Sequence, residues 1–342
     1  MYANEALLTL LKTIGSPLVQ KNSTSGYYTA ELYSIAKANK IPLTYLNTIS
    51  VEERQKLPEY KYHHTRLRRL MEIMAEISEL FDEEGVEYVI FKTLRPYLED
   101  VADIDILNMG SCKDYRRIVE TLRQSNYLLM EKGTYCITFQ DYKTYFKTEI
   151  MIDVYDEISV GHLIYLDKRN LNSCVVRKKS LNGAEVKVFA PEAELLTTVA
   201  HSAIKENTYI LSEYYATLHY LALMDQSSIE RLVNLVRENK LVSPFRWHLT
   251  ITATLHTLAY GFVPEKLSNM LDELSGPWER AYRKVFKLEY PPYKCDLANL
   301  VSIFKEKLYD TTFRRSLCAQ LLHPPTRMFT ARLLVRLKEV LR

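Results

Sequence analysis

Along the chain the spacing of apolar side chains changes twice, and these changes divide it into three parts. Residues 5–13 and 29–39 carry apolar positions at helical spacing, and Lys40-Ile-Pro-Leu43 closes the second stretch. Leu67, Leu70, Met71, Met74, Ile77 and Phe81 then recur at steps of three and four, the stripe of a long amphipathic helix that Gly85 is placed to end. An unbroken apolar run at 88–91 predicts a buried strand. A connector at 92–102, containing Pro96, leads to a second strand at 103–107. Ile118, Val119 and Leu122 mark a helix over 113–124. Strands are predicted at 127–131, 135–140 and 149–155, with a further pair across 174–188 turning at Asn182-Gly183. Beyond 190 the period is helical throughout, over 191–206, 211–224, 227–239, 244–260 and 264–275, with two or three further helices to the end. Pro191, Pro244 and Pro264 suit first-turn positions, and Gly261 and Gly276 suit helix ends. The pattern predicts an α+β chain: a helical lead-in at 1–60, a mixed-sheet core at 61–190 and an all-helical domain at 191–342.

Composition narrows what such a chain does. Of 342 residues, 47% are hydrophobic and 25% charged, which is globular. Only 9 are glycine, and the closest two, Gly15 and Gly26, stand 11 positions apart. A dinucleotide fingerprint, a P-loop and a G-x-S-x-G elbow each need two glycines within about five residues, so all three are excluded. The 45 basic residues nearly balance the 42 acidic ones. One local excess stands out near the end: Arg314, Arg315, Arg327, Arg332, Arg336, Lys338 and Arg342 against the single acid Glu339, either a solvated face or a nucleic-acid contact. The five cysteines show no C-x-x-C spacing, which points to free thiols in a cytoplasmic setting. No secretory pattern opens the chain. No apolar run is long enough to span a membrane, since the most apolar stretch, 249–263, is broken by four threonines and His256.

The chemistry is concentrated in carboxylates. On a strand at 103–107, Asp103 and Asp105 share one face and Ile104 and Ile106 the other. Two carboxylates so close repel unless a cation lies between them, and Mg²⁺ takes such hard oxygen ligands. The bland alternative is a polar strand face turned to water. On 149–155, Ile150, Ile152 and Val154 form the apolar face, and Glu149, Met151, Asp153 and Tyr155 the other. An acid on a core strand is costly without a partner, and a place beside Asp103 and Asp105 supplies one through shared metal ions. His63 and His64 are adjacent on a helix and cannot close on one ion; with Arg66, Arg68 and Arg69 they read as a basic helix start, either plain surface or close to the site. His201 reads as a hydrogen-bonding group between domains, and Tyr214-Tyr215 as helix packing. His219, His248 and His256 have no ligand spacing.

The order of these segments resembles the uncharacterised nucleotidyltransferase family of bacteria and archaea. The resemblance rests on Val89-Ile-Phe-Lys92, Asp103-Ile-Asp-Ile-Leu107, Ile150-Met-Ile-Asp153 and a proline-led helix from Pro191 through His201, with a similar lead-in at Leu32 to Leu43. It covers residues 30–225. Thr93 stands where the family has glycine after the lysine. The arginine nearest before the D-x-D is Arg95, and Tyr155 replaces a common histidine. The resemblance implies a nucleotidyltransferase-like mixed sheet and two-metal transfer of a nucleoside monophosphate from an NTP, with Mg²⁺ or Mn²⁺. Asp103 and Asp105 would hold the ion that carries the NTP phosphates. Asp153 would complete the second and help activate the acceptor hydroxyl of an RNA end, a protein or a small molecule. Lys92 would meet phosphate and Thr93 would hydrogen-bond the triphosphate. A second function class stays open: a binding module that keeps the fold without turnover, associating with RNA or DNA through the basic C-terminal helices.

Overall fold

A computed structural model describes residues 2–19, 26–141, 150–180, 183–274 and 290–322. The chain folds as an α+β structure built on a seven-stranded mixed sheet, with helices before and after it. Four helices lead in: α1 (Tyr2–Ile14), α2 (Ala30–Ala38), α3 (Pro42–Leu46) and α4 (Val51–Arg54). The long amphipathic helix, α5 (Pro58–Glu83), starts earlier than its apolar stripe because Pro58 fills a first-turn position. Gly85, at φ +63°, closes it, and the amide of Val86 returns to the carbonyl of Phe81.

The sheet strands are β1 (Tyr88–Phe91), β2 (Asp103–Asn108), β3 (Tyr127–Lys132), β4 (Cys136–Asp141), β5 (Met151–Tyr155), β8 (Val175–Lys179) and β9 (Glu185–Phe189), with α6 (Cys112–Gln124) between β2 and β3. A small hairpin, β6 (Ile158–Val160) and β7 (Leu163–Leu166), stands apart from the sheet. The order across the sheet is β3-β4-β5-β2-β1-β9-β8. The centre is mixed. β1 runs antiparallel to β2 and parallel to β9, while β2 runs parallel to β5. Glu149, which the sequence places on the fifth strand, lies outside the described residues.

Alternation sorts the sheet into two faces. Ile104, Ile106, Ile152, Val154 and Val188 face α5 and α6 and form one core with Leu70, Met74, Ile77, Ile118 and Leu122. Val89, Phe91, Leu107, Tyr155 and Phe189 face the other way, onto the C-terminal helices. These are α7 (Pro191–Ala200), α8 (Leu211–Leu223), α9 (Gln226–Glu238), α10 (Val242–Tyr260) and α11 (Glu265–Glu273), followed by helices Leu297–Lys307 and Thr311–Leu322. The first two helices of the lead-in pack on α8 and α10, through Leu7, Leu10, Leu32, Tyr214, Tyr215, Trp247 and Ile251, in a third core.

Two local departures from the sequence pattern have visible causes. The helix predicted over 191–206 is α-helical only to Ala200 and continues as a π-helical turn over His201–Glu206. That turn faces polar partners on the sheet. Helix α10 begins before Ser243-Pro244, because Glu306 accepts hydrogen bonds from the amides of Val242 (2.8 Å) and Ser243 (2.7 Å) and caps the helix from a distance. Of the basic C-terminal residues, Arg314 and Arg315 are exposed on helix Thr311–Leu322; Arg327, Arg332, Arg336, Lys338 and Arg342 lie outside the described residues. Among the described residues no helix is long and apolar enough to cross a membrane.

Candidate active site

The parallel pairing of β2 with β5 sets Asp105 directly opposite Asp153, and Asp103 opposite Met151. Neighbouring strands lie about 4.8 Å apart, and opposed residues of a parallel pair point the same way. Asp103, Asp105 and Asp153 therefore share one face, the face that continues through Leu107 and Tyr155 into the C-terminal helices. Three like charges are thus crowded where the sheet meets α7 and its π-helical turn.

Lys92 answers part of that charge. It ends β1 with φ +57°, a left-handed conformation that costs a non-glycine residue about 1–2 kcal/mol. Its amide donates to Glu194 Oε2 on α7 (2.9 Å), and its ammonium reaches Asp105 Oδ2 (3.1 Å) and His201 Nδ1 (3.1 Å). An ammonium only donates, so Nδ1 of His201 is the acceptor and the ring proton sits on Nε2, facing Glu206 Oε1 at 3.5 Å. Burial, reinforced by Lys92, pushes His201 down to about 4, so the ring is neutral at pH 7. Burial also lowers Lys92, against the pull of Asp105. The Lys92 ammonium lies over the rings of Phe91 (4.7 Å) and Tyr155 (5.7 Å).

The three carboxylates are treated differently. Burial raises the pKa of Asp105, but Lys92, with His201 and Lys205 behind it, outweighs burial and holds Asp105 below its ordinary value. Asp153 Oδ1 accepts from Thr138 Oγ1 (2.6 Å) and Oδ2 from the Tyr155 hydroxyl (3.2 Å), which in turn accepts from Lys205 Nζ (3.4 Å). Asp103 has no hydrogen-bond partner for its carboxylate among the described residues. Burial, then the charges of Asp105 and Asp153, push it up to about 6.

Thr93 lies beneath this face rather than on it. It is 1% exposed. Its hydroxyl accepts the amide of Asp105 (2.9 Å) and donates toward the carbonyls of Phe91 (3.2 Å) and Asp103 (3.4 Å), tying the end of β1 to the start of β2. The left-handed residue is Lys92, one position earlier.

Reading His63 and Arg66 as a surface-facing basic helix start needs correcting, because both are buried by the connector that precedes Asp103. His63 Nδ1 meets Asp100 Oδ2 (3.0 Å) and its Nε2 meets the Tyr33 hydroxyl (3.1 Å). Arg66 donates to the carbonyls of Asp100 (3.0 Å), Val101 (2.8 Å) and Ala102 (2.8 Å), so a guanidinium from α5 fixes the backbone just before the D-x-D. Tyr214 and Tyr215 are packing residues, fully buried and in T-shaped contact at 5.1 Å.

No protein-family model matches the chain, and no curated protein does. Among solved structures it is similar to an antigenic nucleotidyltransferase-like protein from Paracoccidioides brasiliensis, with 14% identity and a TM-score of 0.32 over 49% of this chain and 88% of that one. It is also similar to JHP933 from Helicobacter pylori, with 14% identity and a TM-score of 0.27 over 66% of this chain and 92% of that one. Overlap this loose says nothing about chemistry, which rests on the carboxylates themselves.

Their donor set suits a divalent ion. Mg²⁺ is usually held by one or two carboxylates, with water and substrate phosphate completing the octahedron. Asp103 offers a carboxylate that no group among the described residues occupies and that its neighbours repel. Asp105 and Asp153 offer oxygens now held by Lys92, Thr138 and Tyr155, and among the described residues no three ligating side chains close on one point. Sequence reading left Lys205, Thr138 and Glu206 out of this neighbourhood. Only Tyr155 carried a legible signal, two residues beyond Asp153 and so on the same strand face.

Proposed function

We propose that this chain is a Mg²⁺-dependent nucleotidyltransferase that moves a nucleoside monophosphate from an NTP to an acceptor hydroxyl. The observation that carries the reading is Asp105 set opposite Asp153 on a parallel strand pair, with Asp103 on the same face and pushed up to about 6 by burial and by the other two. That imbalance is what a divalent cation relieves.

Asp103 and Asp105 would hold the ion, Mg²⁺ or Mn²⁺. When bound it neutralises charge on the phosphates and stabilises the attacking and leaving oxygens of an in-line displacement. Asp153 faces the acceptor and takes its hydroxyl proton as the oxygen attacks the α-phosphorus. The α–β phosphoanhydride bond breaks and pyrophosphate leaves. Lys92 is a point charge that exchanges Asp105 for the NTP phosphates, with neutral His201 as the acceptor that guides its ammonium. Thr93 acts through the backbone of β2, holding the amide of Asp105 in place.

The test is incubation of the full chain with each labelled NTP, Mg²⁺ or Mn²⁺, and pooled tRNA or protein, beside Asp105→Ala. Label transferred by wild type and lost in the variant is the expected result. No transfer under any condition, or equal transfer by both proteins, overturns the reading.

A further inference from the structure

The connector between Lys92 and Asp103 walls a second site. A cavity of about 280 Å³ lies between residues 94–98 of the connector and Lys178 and Lys179 on β8, the edge strand of the sheet. The volume is near the lower end for small-molecule pockets, about 300 Å³. It is too small for a folded partner.

Three cations line the cavity, and their donors are largely unspent. Among the described residues Arg95 makes one long hydrogen bond, from Nη1 to Thr198 Oγ1 at 3.3 Å, and its Nε is buried with no acceptor. A buried donor left unpaired costs about 1–3 kcal/mol. Lys178 and Lys179 are exposed, and neither ammonium makes an ion pair or hydrogen bond among the described residues. The opposite character is supplied by Leu94, Pro96, Tyr97 and Leu98. The Tyr97 ring is locked in place because its hydroxyl donates to the carbonyl of Ser212 (3.0 Å).

We infer that this cavity binds a small phosphate ester, with Arg95 on the phosphate, Lys178 and Lys179 of the edge strand adding positive charge beside it, and the apolar connector side chains on the carbon skeleton. A guanidinium presents the fork that matches phosphate oxygens, and two lysines add charge without geometric demand. Glu194 and Glu213 lie within electrostatic reach of Arg95, and burial raises both, Glu194 to about 7. Glu194 Oε2 is also engaged by the amide of Lys92. The site stands on the cavity and its cations, independently of nucleotidyl transfer.

Calorimetric titration of the full chain at low salt with ribose 5-phosphate and with inorganic phosphate tests it. Saturable binding of the ester is expected, about tenfold tighter than that of inorganic phosphate because of the apolar wall. Replacing Lys178→Ala and Lys179→Ala together should weaken the ester about tenfold and flatten its salt dependence. Both side chains are exposed, so the double variant keeps its fold even if Arg95→Gln does not. Asp105→Asn should leave the affinity unchanged, which separates this cavity from the carboxylate face. No saturable binding, inorganic phosphate bound as tightly as the ester, an unaltered double variant, or equal loss in Asp105→Asn would each overturn the assignment.

Discussion

Lys307 and Lys92 are both buried and paired with aspartates, and they do opposite things. Lys307, wholly buried, donates to Asp310 Oδ2 (2.5 Å) and to the carbonyl of Asn239 (2.7 Å). Asp310 is spent as well: its other oxygen accepts the amides of Thr312 (2.8 Å) and Phe313 (3.1 Å) at the start of a helix. Lys92, 7% exposed, meets Asp105 at 3.1 Å, but two further carboxylates share the face and a neutral histidine shares the ammonium. Burial lowers both lysines, and the paired aspartate opposes it in each. The ion pair alone therefore does not distinguish a structural site from a chemical one. What distinguishes them is the balance: the acid paired with Lys307 is committed to a helix start as well, whereas Lys92, with Lys205 behind it, faces three acids. A closed pair has nothing to offer a ligand, whereas an unbalanced one has charge to exchange.

The sharpest way to break that contrast is to replace each aspartate by asparagine. Asp310→Asn strands a buried ammonium and weakens a helix start, and should cost about 3 kcal/mol in urea denaturation while the folded protein transfers label at the wild-type rate. Asp105→Asn should reduce transfer on the order of a hundredfold or more, and its cost in stability, from stranding the buried Lys92 ammonium, is partly offset by relieving the repulsion on Asp103. If Asp310→Asn lowers the transfer rate of folded protein as much as Asp105→Asn does, the two pairs are not different in kind.

The second effect is a pH dependence with a definite sign. Asp103 is raised to about 6 in the fold, against about 3.9 in an unfolded chain. A raised carboxylate contributes stability that is complete below the unfolded pKa and is lost as pH rises through the folded one. Wild type and Asp103→Asn should therefore be equally stable at about pH 3, and the variant should gain as pH rises from about 4 to about 6, reaching about 2 kcal/mol by about pH 7. Saturating Mg²⁺ should erase the gain by stabilising wild type alone. Parallel urea titrations across that range measure it, and a difference that is flat with pH removes the repulsion on which the candidate metal site rests.

The sequence exposed one half of this arrangement and hid the other for a physical reason. Alternation within a strand is local, so Asp103, Asp105 and Asp153 could each be assigned a polar face from neighbouring residues, and the cost of an acid between Ile152 and Val154 suggested that the faces meet. Register between β2 and β5 is not local. It depends on where 42 intervening residues, 109–150, return the chain, and alternation does not report it. The helical cores were legible because a repeat of 3.6 marks a buried stripe. Lys205 and Glu206 were hidden for the same reason, since the π-helical turn at 201–206 abandons that period where it brings side chains to the site. His63 and Arg66 looked like surface because charge at a helix start usually is. Their acceptor, the chain around Asp100, arrives from more than thirty positions away.

The smallest effect concerns the position that glycine occupies in the family the chain resembles. A glycine there, having no Cβ, would let phosphate approach the backbone, and a threonine would crowd it. The structure assigns Thr93 other work, because its hydroxyl accepts the amide of Asp105 while the left-handed backbone belongs to Lys92. Thr93→Gly opens no needed conformation and leaves a buried amide unpaired, which should cost about 1–2 kcal/mol and lower transfer rather than raise it. Thr93→Ser keeps the hydroxyl and loses one buried methyl, and should cost under about 1 kcal/mol with transfer nearly unchanged. Thermal denaturation and the labelled-NTP assay on the two variants separate the readings. If Thr93→Gly transfers faster than wild type, the threonine was an obstruction; if only Thr93→Ser retains the rate, it is the strut that sets Asp105 beside Lys92.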